Sequence, residues 1–352
     1  MIARKNWIWM TFLLQLFFLS EAAWSLSPAD NCITFFSNND FDNAIRCFTS
    51  RIEDIKSGKD SSGRSLSGAY IERGRAWYRK NDFDRAIADY DRALSLDPKD
   101  SWTYMRRGIA WYQKKNFDRA IADFNRGLEI NPGEDLYFNR GLAWLGKKDF
   151  DRALADYDQV IKLNPRDGQA YANRGLLVWN RKKDFDQALA DYNRALEIRP
   201  GEALIYNMRG NLFFEQGRFI QASEDFKASL IKNPKDRYTT IWFFLALERA
   251  GKNGRQELND RKENVKLTEW PEPVIQFYLG KSSSAEVLRL AKKQRTNLCE
   301  AYFFLGEHFL IKGDKKKAIK MFQLCLDTGN SDLREYNAAK GELALIGVGR
   351  RQ

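Results

Sequence analysis

The sequence predicts an all-α protein built from repeated helical hairpins, and three observations lead to that prediction. Glycine recurs in an Arg-Gly pair at spacings of 34, 33, 34 and 35 residues, at Gly74, Gly108, Gly141, Gly175 and Gly210. A tyrosine stands four residues before each of these repeat glycines, and an alanine stands twelve or thirteen residues after it. A proline closes each unit. A fixed period of this length is the signature of a repeat array, whose units stack because one hairpin cannot bury its apolar face alone.

The order of residues within a unit predicts where its two helices begin and end. The repeat glycine and the alanine are small residues on facing helices, which allows the two backbones to approach closely. Aromatic residues at helical spacing form the apolar stripe between neighbouring helices. Asp82 and Asn116 precede second helices and are suited to cap them. Pro98 and Pro132 end such helices, because the residue before a proline is pushed out of the α region.

This recurring frame of glycine, alanine, aromatic residue and proline resembles the tetratricopeptide repeat family over residues 67–236, in five consecutive units. The resemblance implies a right-handed superhelical solenoid of helix-turn-helix repeats, whose first helices line a concave groove that binds proteins or peptides. Val160 and Ser229 depart from the small-residue position near the end of the second helix. One extra residue near Lys182 lengthens a turn. Neither departure changes the predicted fold.

An arginine precedes every repeat glycine, and an aspartate precedes the aromatic residue of every second helix. In an antiparallel hairpin these two positions lie near the same level. The predicted ion pairs are Arg73–Asp89, Arg107–Asp123, Arg140–Asp156, Arg174–Asp191 and Arg209–Asp225. Five copies of one ion pair favour an architectural role over a catalytic one.

The two ends of the chain carry modified hairpins, each with a pair of cysteines symmetric about its turn. In an oxidising compartment these pairs, Cys32–Cys47 and Cys299–Cys325, are expected to form disulfides that link the two helices of a terminal hairpin. Each would stabilise the fold by about 3 kcal/mol. The alternative is that all four cysteines are small buried hydrophobic residues. Zinc binding is disfavoured, since there is no C-x-x-C motif and His308 is the only histidine.

The N-terminus has the pattern of a secretory signal peptide. Arg4 and Lys5 are followed by an apolar run from Trp7 to Leu19 and then by small residues, with cleavage expected after Ser25. The run is shorter than the roughly 20 residues that span a bilayer. The alternative is an uncleaved anchor. No cysteine stands in a lipid-attachment context, so we expect an exported bacterial protein, periplasmic or secreted.

These features divide the chain into a signal peptide (1–25), a divergent hairpin with a linker (26–66), five repeats (67–236), an irregular helical segment (237–297) and a divergent hairpin with a C-terminal helix (298–352). The segments EWPEPVIQFYLGK, CEAYFFLGEHFLIKGD and EYNAAKGELALIG resemble the C-terminal part of periplasmic tetratricopeptide lipoproteins of the NlpI type. Those proteins are adaptors that dimerise and bring cell-wall hydrolases together with proteases. The missing lipid-attachment cysteine departs from that family, so membrane anchoring and particular partners do not carry over. Whether the protein forms a homodimer stays an open question.

The sequence gives no indication of an enzyme, a metal site or a cofactor. It contains no G-x-S-x-G, Walker, H-E-x-x-H or G-x-G-x-x-G motif. The net charge of +11 is spread along the chain rather than gathered into a basic stripe, which disfavours nucleic-acid binding. A dispersed positive charge suits an anionic surrounding. It therefore supports an alternative role as a structural envelope component held electrostatically to anionic wall polymer.

The favoured function is that of a non-enzymatic scaffold or adaptor that binds protein or peptide partners along its first helices. The candidate binding residues are Arg75, Tyr78, Met105, Arg106, Ile109, Tyr112, Phe138, Leu142, Leu145, Asn173, Leu176, Trp179 and Phe214. Their apolar members suit an amphipathic helix or an extended apolar segment. Arg75, Arg106 and Asn173 would anchor a peptide carboxylate. The alternative is that the stripe serves packing between repeats, or is covered by the chain's own C-terminal helix.

Overall fold

The computed structural model describes residues 31–59, 65–261 and 269–347, and within those ranges the chain consists of helices joined by turns. The predicted all-α class with helical hairpins is confirmed. The predicted signal peptide, residues 1–25, lies outside the described residues. Each helix within the described ranges is too short or too polar to cross a membrane. The predicted divisions of the chain near residues 66, 236 and 297 stay predictions.

The chain forms two compact units, whose described parts are residues 31–182 (the N-terminal unit) and 183–347 (the C-terminal unit). The N-terminal unit contains α1 (Asn31–Ser37), α2 (Phe41–Lys56), α3 (Leu66–Arg79), α4 (Phe83–Leu96), α5 (Ser101–Gln113), α6 (Phe117–Ile130), α7 (Glu134–Gly146), α8 (Phe150–Leu163) and α9 (Gly168–Leu177). A π-helical segment, Val178–Lys182, follows α9 directly.

The C-terminal unit begins with the second helix of a repeat and ends with short helices and a modified hairpin. It contains α10 (Phe185–Ile198), α11 (Ala203–Glu215), α12 (Phe219–Lys232), α13 (Arg237–Arg249), α14 (Gly254–Asp260), α15 (Glu272–Tyr278), α16 (Ser284–Ala291), α17 (Arg295–Ile311), α18 (Lys315–Asp327) and α19 (Arg334–Leu345). Consecutive helices pack as hairpins, most extensively α11 with α12 and α17 with α18.

The turn inside a hairpin is set by two adjacent residues. Asn81 adopts a left-handed conformation with φ of 61°, and Asp82 then caps α4 by accepting a hydrogen bond from the backbone N–H of Arg85. Lys115 and Asn116 repeat this arrangement before α6. The Asp-Phe-Asp and Asn-Phe-Asp sequences are therefore the helix starts that the sequence predicts.

The repeat glycines give space to the aromatic residue of the second helix. A Cβ atom on Gly108 would lie 2.7 Å from the ring of Phe124, and one on Gly74 would lie 2.8 Å from the ring of Tyr90. The sequence paired these glycines with the alanines of the second helix for a close backbone approach. The structure shows that the aromatic ring lies against the glycine instead, while alanines such as Ala120 are buried beside it.

The extra residue near Lys182 does not lengthen a turn, as the sequence suggested. The first helix of that repeat continues beyond Leu177 as five residues of π-helix, which absorb the insertion. Lys183 then takes the left-handed conformation, with φ of 55°. The insertion therefore changes the end of a first helix, where the candidate residue Trp179 lies.

The repeat arginines make two kinds of contact. Four of the predicted ion pairs are present as two-point contacts, at 2.6–2.7 Å from the guanidinium Nη2 to the aspartate Oδ1: Arg73–Asp89, Arg107–Asp123, Arg140–Asp156 and Arg209–Asp225. The Arg174–Asp191 pair stays a prediction. The remaining Nη1 group reaches the preceding second helix, as from Arg107 to Asp91 at 2.6 Å and from Arg140 to Asn125 at 2.7 Å. Each of these arginines therefore links its own hairpin to the one before it.

The two cysteine pairs differ. Cys32 and Cys47 form a disulfide that links α1 to α2, with their Cα atoms 5.3 Å apart. The predicted Cys299–Cys325 disulfide is not present, and this corrects the sequence interpretation. Both are buried free thiols on α17 and α18, with their Sγ atoms 2.7 Å apart, a longer separation than the roughly 2.05 Å of a bond. For Cys299 and Cys325 the alternative interpretation therefore holds: they are small buried hydrophobic residues.

Titration of the oxidised protein in denaturant should therefore detect two free thiols, Cys299 and Cys325. Alkylation before and after reduction, followed by peptide mass spectrometry, assigns them. Peptides with Cys32 and Cys47 should be labelled only after reduction. Four free thiols would contradict the N-terminal disulfide, and none would show that the second predicted disulfide forms after all.

Candidate protein-binding faces

One face of each first helix carries the candidate residues. They lie three and two residues before the repeat glycine, and one and four residues after it; we call this set of positions the groove face. On α5, for example, the groove face consists of Met105, Arg106, Ile109 and Tyr112. The first two positions are adjacent, and each later position lies three or four residues beyond an earlier one, so all four share one side of an α-helix.

The structure brings many of the predicted residues of the N-terminal unit together. Six of them, from α5 and α7, belong to one apolar cluster: Met105, Ile109, Tyr112, Phe138, Leu142 and Leu145. Tyr112, Phe138 and Leu142 are buried members of that cluster, and the other three are partly buried at its edge. Packing between repeats, the alternative interpretation, therefore accounts for part of the stripe.

The remaining predicted residues occupy three places. On α3, the hydroxyl of Tyr78 accepts a hydrogen bond from Gln113 of α5 at 3.2 Å, which joins two neighbouring first helices. Leu176 is half-buried on α9 and Trp179 is buried in the π-helical segment. Phe214 belongs to the C-terminal unit, where its ring lies 5.0 Å from the ring of Trp242.

A row of polar side chains runs through this apolar face. The residue two positions before the repeat glycine is Glu72, Arg106, Asn139 and Asn173 in four successive repeats. The sequence interpretation singled out Arg106 and Asn173 but missed Asn139 and Glu72. The signal that would have found them is the repeat position itself, which is polar four times on an otherwise apolar surface.

The two arginines in this region differ in their partners. Arg75 pairs with Glu72 at 2.8 Å, and its guanidinium lies 4.8 Å from the ring centre of Phe36. Arg106 has no carboxylate within ion-pair distance among the residues that the structure describes, and its buried Nε has no hydrogen-bond partner there. Burial, with repulsion from Arg75, lowers the pKa of Arg106. A negatively charged group placed beside such a partly buried, unpaired guanidinium would stabilise its charged form.

The two asparagines of the row are buried as well. Asn139 is 7% exposed and donates from Nδ2 to the backbone oxygen of Asp135 at 2.7 Å. Asn173 is also 7% exposed, and its Nδ2 has no hydrogen-bond partner among the described residues. A carboxamide can both donate to and accept from a peptide backbone. The row thus combines a cation with two amide groups on neighbouring helices.

In the C-terminal unit, the chain's own helix α19 covers the groove face. Arg334, the first residue of α19, donates to Asn211 Oδ1 on α11 at 3.1 Å, and its guanidinium lies 4.1 Å from the ring centre of Trp242 on α13. At the other end of α19, Glu342 accepts from Arg249 at 3.1 Å. The same nitrogen of Arg249 donates to Glu307 on α17 at 2.8 Å. In this unit, therefore, the groove face is covered by the chain's own C-terminal helix, as the alternative interpretation had it.

The contact between α19 and Arg249 contains two carboxyl groups for one cation. Glu307 is fully buried, Glu342 is 5% exposed, and Glu307 Oε1 has no hydrogen-bond partner among the described residues. Burial, assisted by the charge of Glu342, raises the pKa of Glu307 to about 8. Tyr278 on α15 also faces this group, and burial with the charge of Glu307 raises the pKa of its phenol. Glu307 therefore holds its proton to a higher pH than an exposed glutamate does.

This shift makes the stability of the C-terminal unit depend on pH. The folded state binds the Glu307 proton more tightly than the unfolded state, where the pKa is near 4.5. Below about pH 4.5 the bound proton contributes fully to the free energy of unfolding. As the pH rises from there through 8, this contribution is lost, by about 1.4 kcal/mol per pH unit. We expect Glu307→Gln, which stays neutral and still accepts from Arg249, to flatten this decline.

Thermal unfolding of both proteins between pH 5 and 9 measures the effect. Glu286→Gln is the matched control, because the ion pair with Arg289 lowers the pKa of Glu286, and it should keep the wild-type pH profile. A wild-type profile for Glu307→Gln would mean that Glu307 ionises normally in the folded protein.

Comparison with known proteins places this repeat within a family. The family model described as "Tetratricopeptide repeat" matches residues 71–135 and 138–203.

The chain is also similar to solved structures. One is YrrB, described as a tetratricopeptide protein with an unusual peptide-binding site, at 24% identity and a TM-score of 0.43, covering 55% of this chain and 95% of that one. Another is a tetratricopeptide repeat protein from Parabacteroides merdae, at 17% identity and a TM-score of 0.48, covering 78% and 98%. A third is PilW, described as a widely conserved type IV pilus biogenesis factor, at 19% identity and a TM-score of 0.49, covering 56% and 94%.

The likeness to NlpI-type adaptors stays a prediction from the sequence. The family match and the hairpin geometry agree on the repeat, and repeats of this family are scaffolds for protein–protein interaction. Residues 71–135 and 138–203 are therefore tetratricopeptide repeats.

Proposed function

We propose that this protein is an exported adaptor that binds segments of other proteins on the groove face of its N-terminal unit. The observation that carries the proposal is the polar row through that face, and above all Arg106. Arg106 is half-buried, and its Nε is buried with no hydrogen-bond partner among the described residues. Glu72 and Asp100 act on its charge only from beyond ion-pair distance. A partly buried charge without a close counter-charge is costly, so a ligand carboxylate beside Arg106 would lower the free energy of the complex.

The neighbouring residues favour a peptide over a small anion. Asn139 and Asn173 follow Arg106 on the next two first helices, at the same repeat position. Their amides are suited to hold an extended backbone, and Met105, Ile109 and Leu145 add partly buried apolar surface along it. The partner class is thus a protein segment with an acidic side chain or a terminal carboxylate beside apolar residues.

Two observations support export. The first 25 residues have the charge and hydropathy pattern of a signal peptide. The disulfide Cys32–Cys47 is typical of an oxidising compartment, since such bonds are rare in the cytosol. Two free buried thiols do not oppose this, because burial hinders their reaction. The bacterial periplasm or the extracellular space is the location that we propose.

Affinity capture from an envelope extract tests the binding face. We expect wild-type protein to retain defined proteins in 0.3 M salt, and Arg106→Ala to retain at least tenfold less of them. Arg126→Ala is the matched control, because Arg126 is an exposed arginine on the second helix α6, where it forms an ion pair with Glu129. Circular dichroism and thermal unfolding establish that each variant is folded.

A peptide from a captured protein then tests the chemistry. Replacing its acidic residue by the matching amide should weaken binding to the wild type by tenfold or more and leave binding to Arg106→Ala unchanged. Equal losses in both proteins would contradict the proposed contact. Capture that disappears in 0.3 M salt, with no difference between the two arginine variants, would favour attachment to anionic wall polymer through the net charge of +11.

A further inference from the structure

Helix α19 presents two charged groups to the groove face of the C-terminal unit. Arg334 contacts Asn211 and Trp242, and Glu342 contacts Arg249. The two residues are eight positions apart, a little more than two helical turns, and therefore lie on the same side of α19. Between and beyond them, Ala338, Ala339 and Leu343 are the buried apolar residues of the helix.

The face under α19 is an aromatic surface that continues across three first helices. The ring of Phe214 on α11 lies 5.0 Å from that of Trp242 on α13, which in turn lies 5.3 Å from that of Phe303 on α17. Phe214 lies four residues after Gly210 and Phe303 three residues before Gly306, both groove-face spacings, and Trp242 contacts both rings. Such a surface suits a large apolar partner, and the buried apolar residues of α19 in the same cluster are two alanines and Leu343.

The contacts that hold α19 are weaker than those of the helices beneath it. Its three buried apolar residues include two alanines, whereas α17 buries Phe303, Phe304 and Leu305. Tyr336 and the flanking Leu333 and Ile346 are only partly buried against the core. Two further buried residues of α19, Glu335 and Glu342, are carboxylates, and the cost of removing them from water offsets much of their attraction to arginine. Helices with few buried apolar contacts open locally at lower cost than the rest of a structure.

We propose that the groove face of the C-terminal unit is a second protein-binding site, and that α19 is its intramolecular occupant. The partner is an amphipathic helix with the surface pattern of α19: a cation, a carboxylate eight residues later, and apolar side chains between them. Such a helix displaces α19 when it carries larger apolar residues at the positions of Ala338 and Ala339. The proposal extends the function proposed above to another face, and it does not depend on Arg106.

Displacement has a quantitative condition. A tethered helix competes at an effective concentration of about 1 mM or more, so a partner in solution must bind this face considerably more tightly than α19 does. Longer apolar side chains over the Phe214, Trp242 and Phe303 rings increase the buried area and provide that difference. An α19 with two alanines at its centre is well suited to remain displaceable.

The chain contains its own reporter for this movement. Cys325 is buried on α18, and its Sγ lies 3.7 Å from the backbone oxygen of Glu335 on α19. Its hydrogen bond with Cys299, together with burial, raises the pKa of the Cys325 thiol, so it is unreactive while α19 is in place. Release of α19 removes the helix beside this thiol, and its alkylation should accelerate.

The first experiment uses the reduced full-length chain and iodoacetamide, with the label at Cys325 measured by peptide mass spectrometry. We expect the double variant Arg334→Ala, Glu342→Ala to alkylate at least tenfold faster than the wild type. Lys340→Ala, at an exposed residue of α19, is the matched control and should alkylate at the wild-type rate. A synthetic peptide of residues 331–347 should restore protection to the double variant, and the same peptide with both substitutions should not.

Three outcomes would overturn the proposal. Wild-type alkylation of the double variant would show that these contacts do not hold α19. Failure of the peptide to protect would show that the face does not accept a separate helix. Loss of amide protection in α13 and α17 together with α19 would show that α19 is part of the core rather than an occupant of a site.

A second experiment uses the unmodified chain. The 331–347 peptide with leucine substitutions at both alanine positions (Ala338→Leu, Ala339→Leu) should speed hydrogen exchange in α19 while α11 and α13 stay protected. Arg249→Ala should weaken this response at least tenfold, whereas Arg106→Ala should leave it unchanged. No change in α19 exchange at millimolar peptide would overturn the proposal, even if capture through Arg106 succeeds.

Discussion

The second contact of each repeat arginine is the interaction on which the rest of the structure depends. An ion pair within a hairpin, such as Arg140 with Asp156, holds two helices of one unit together. The Nη1 group of the same arginine binds Asn125 on the preceding second helix and so fixes one hairpin against the next. Only a guanidinium has enough donors in a planar arrangement to make both contacts at once. The equal spacing of the hairpins follows from these contacts, together with aromatic rings that fit only against glycine.

Because the hairpins within a unit are regularly spaced, residues at the same repeat position lie side by side on one surface. Because successive hairpins hold the same relation within a unit, the residue two positions before each glycine forms a row, in which Arg106, Asn139 and Asn173 are neighbours in order. In the C-terminal unit the pattern changes: Leu305 and Met321 replace the arginine and the aspartate in the last hairpin. There Arg249 donates both to Glu307 on α17 and to Glu342 on the chain's own helix α19. One architecture therefore presents a polar row on one unit and a covered face on the other.

Much of the fold could be predicted from the sequence because its determinants are local and repeated. Period, helix caps and the within-hairpin arginine–aspartate pairs all recur at fixed positions. Three features could not be predicted, and each has a physical reason. The π-helical segment after Leu177 depends on how a helix end absorbs one extra residue, which spacing alone does not decide. Whether Cys299 and Cys325 are free thiols or a disulfide depends on a difference of less than 1 Å in the distance between their Sγ atoms. The contacts of α19 join residues more than 90 positions apart, such as Arg249 and Glu342, with no repeat to indicate them.

The most direct test of this account is a double-mutant cycle between neighbouring repeats. Arg140→Lys, Asn125→Ala and the double variant would be compared by chemical unfolding of the N-terminal unit, with the exposed pair Arg126–Glu129 as the reference. If the repeat arginine links successive hairpins, Arg140 and Asn125 should show a coupling energy of about 1 kcal/mol, against about 0.3 kcal/mol for the exposed pair. A coupling no larger than that of the exposed pair would contradict the central claim, because the arginines would then stabilise single hairpins without setting the spacing between them.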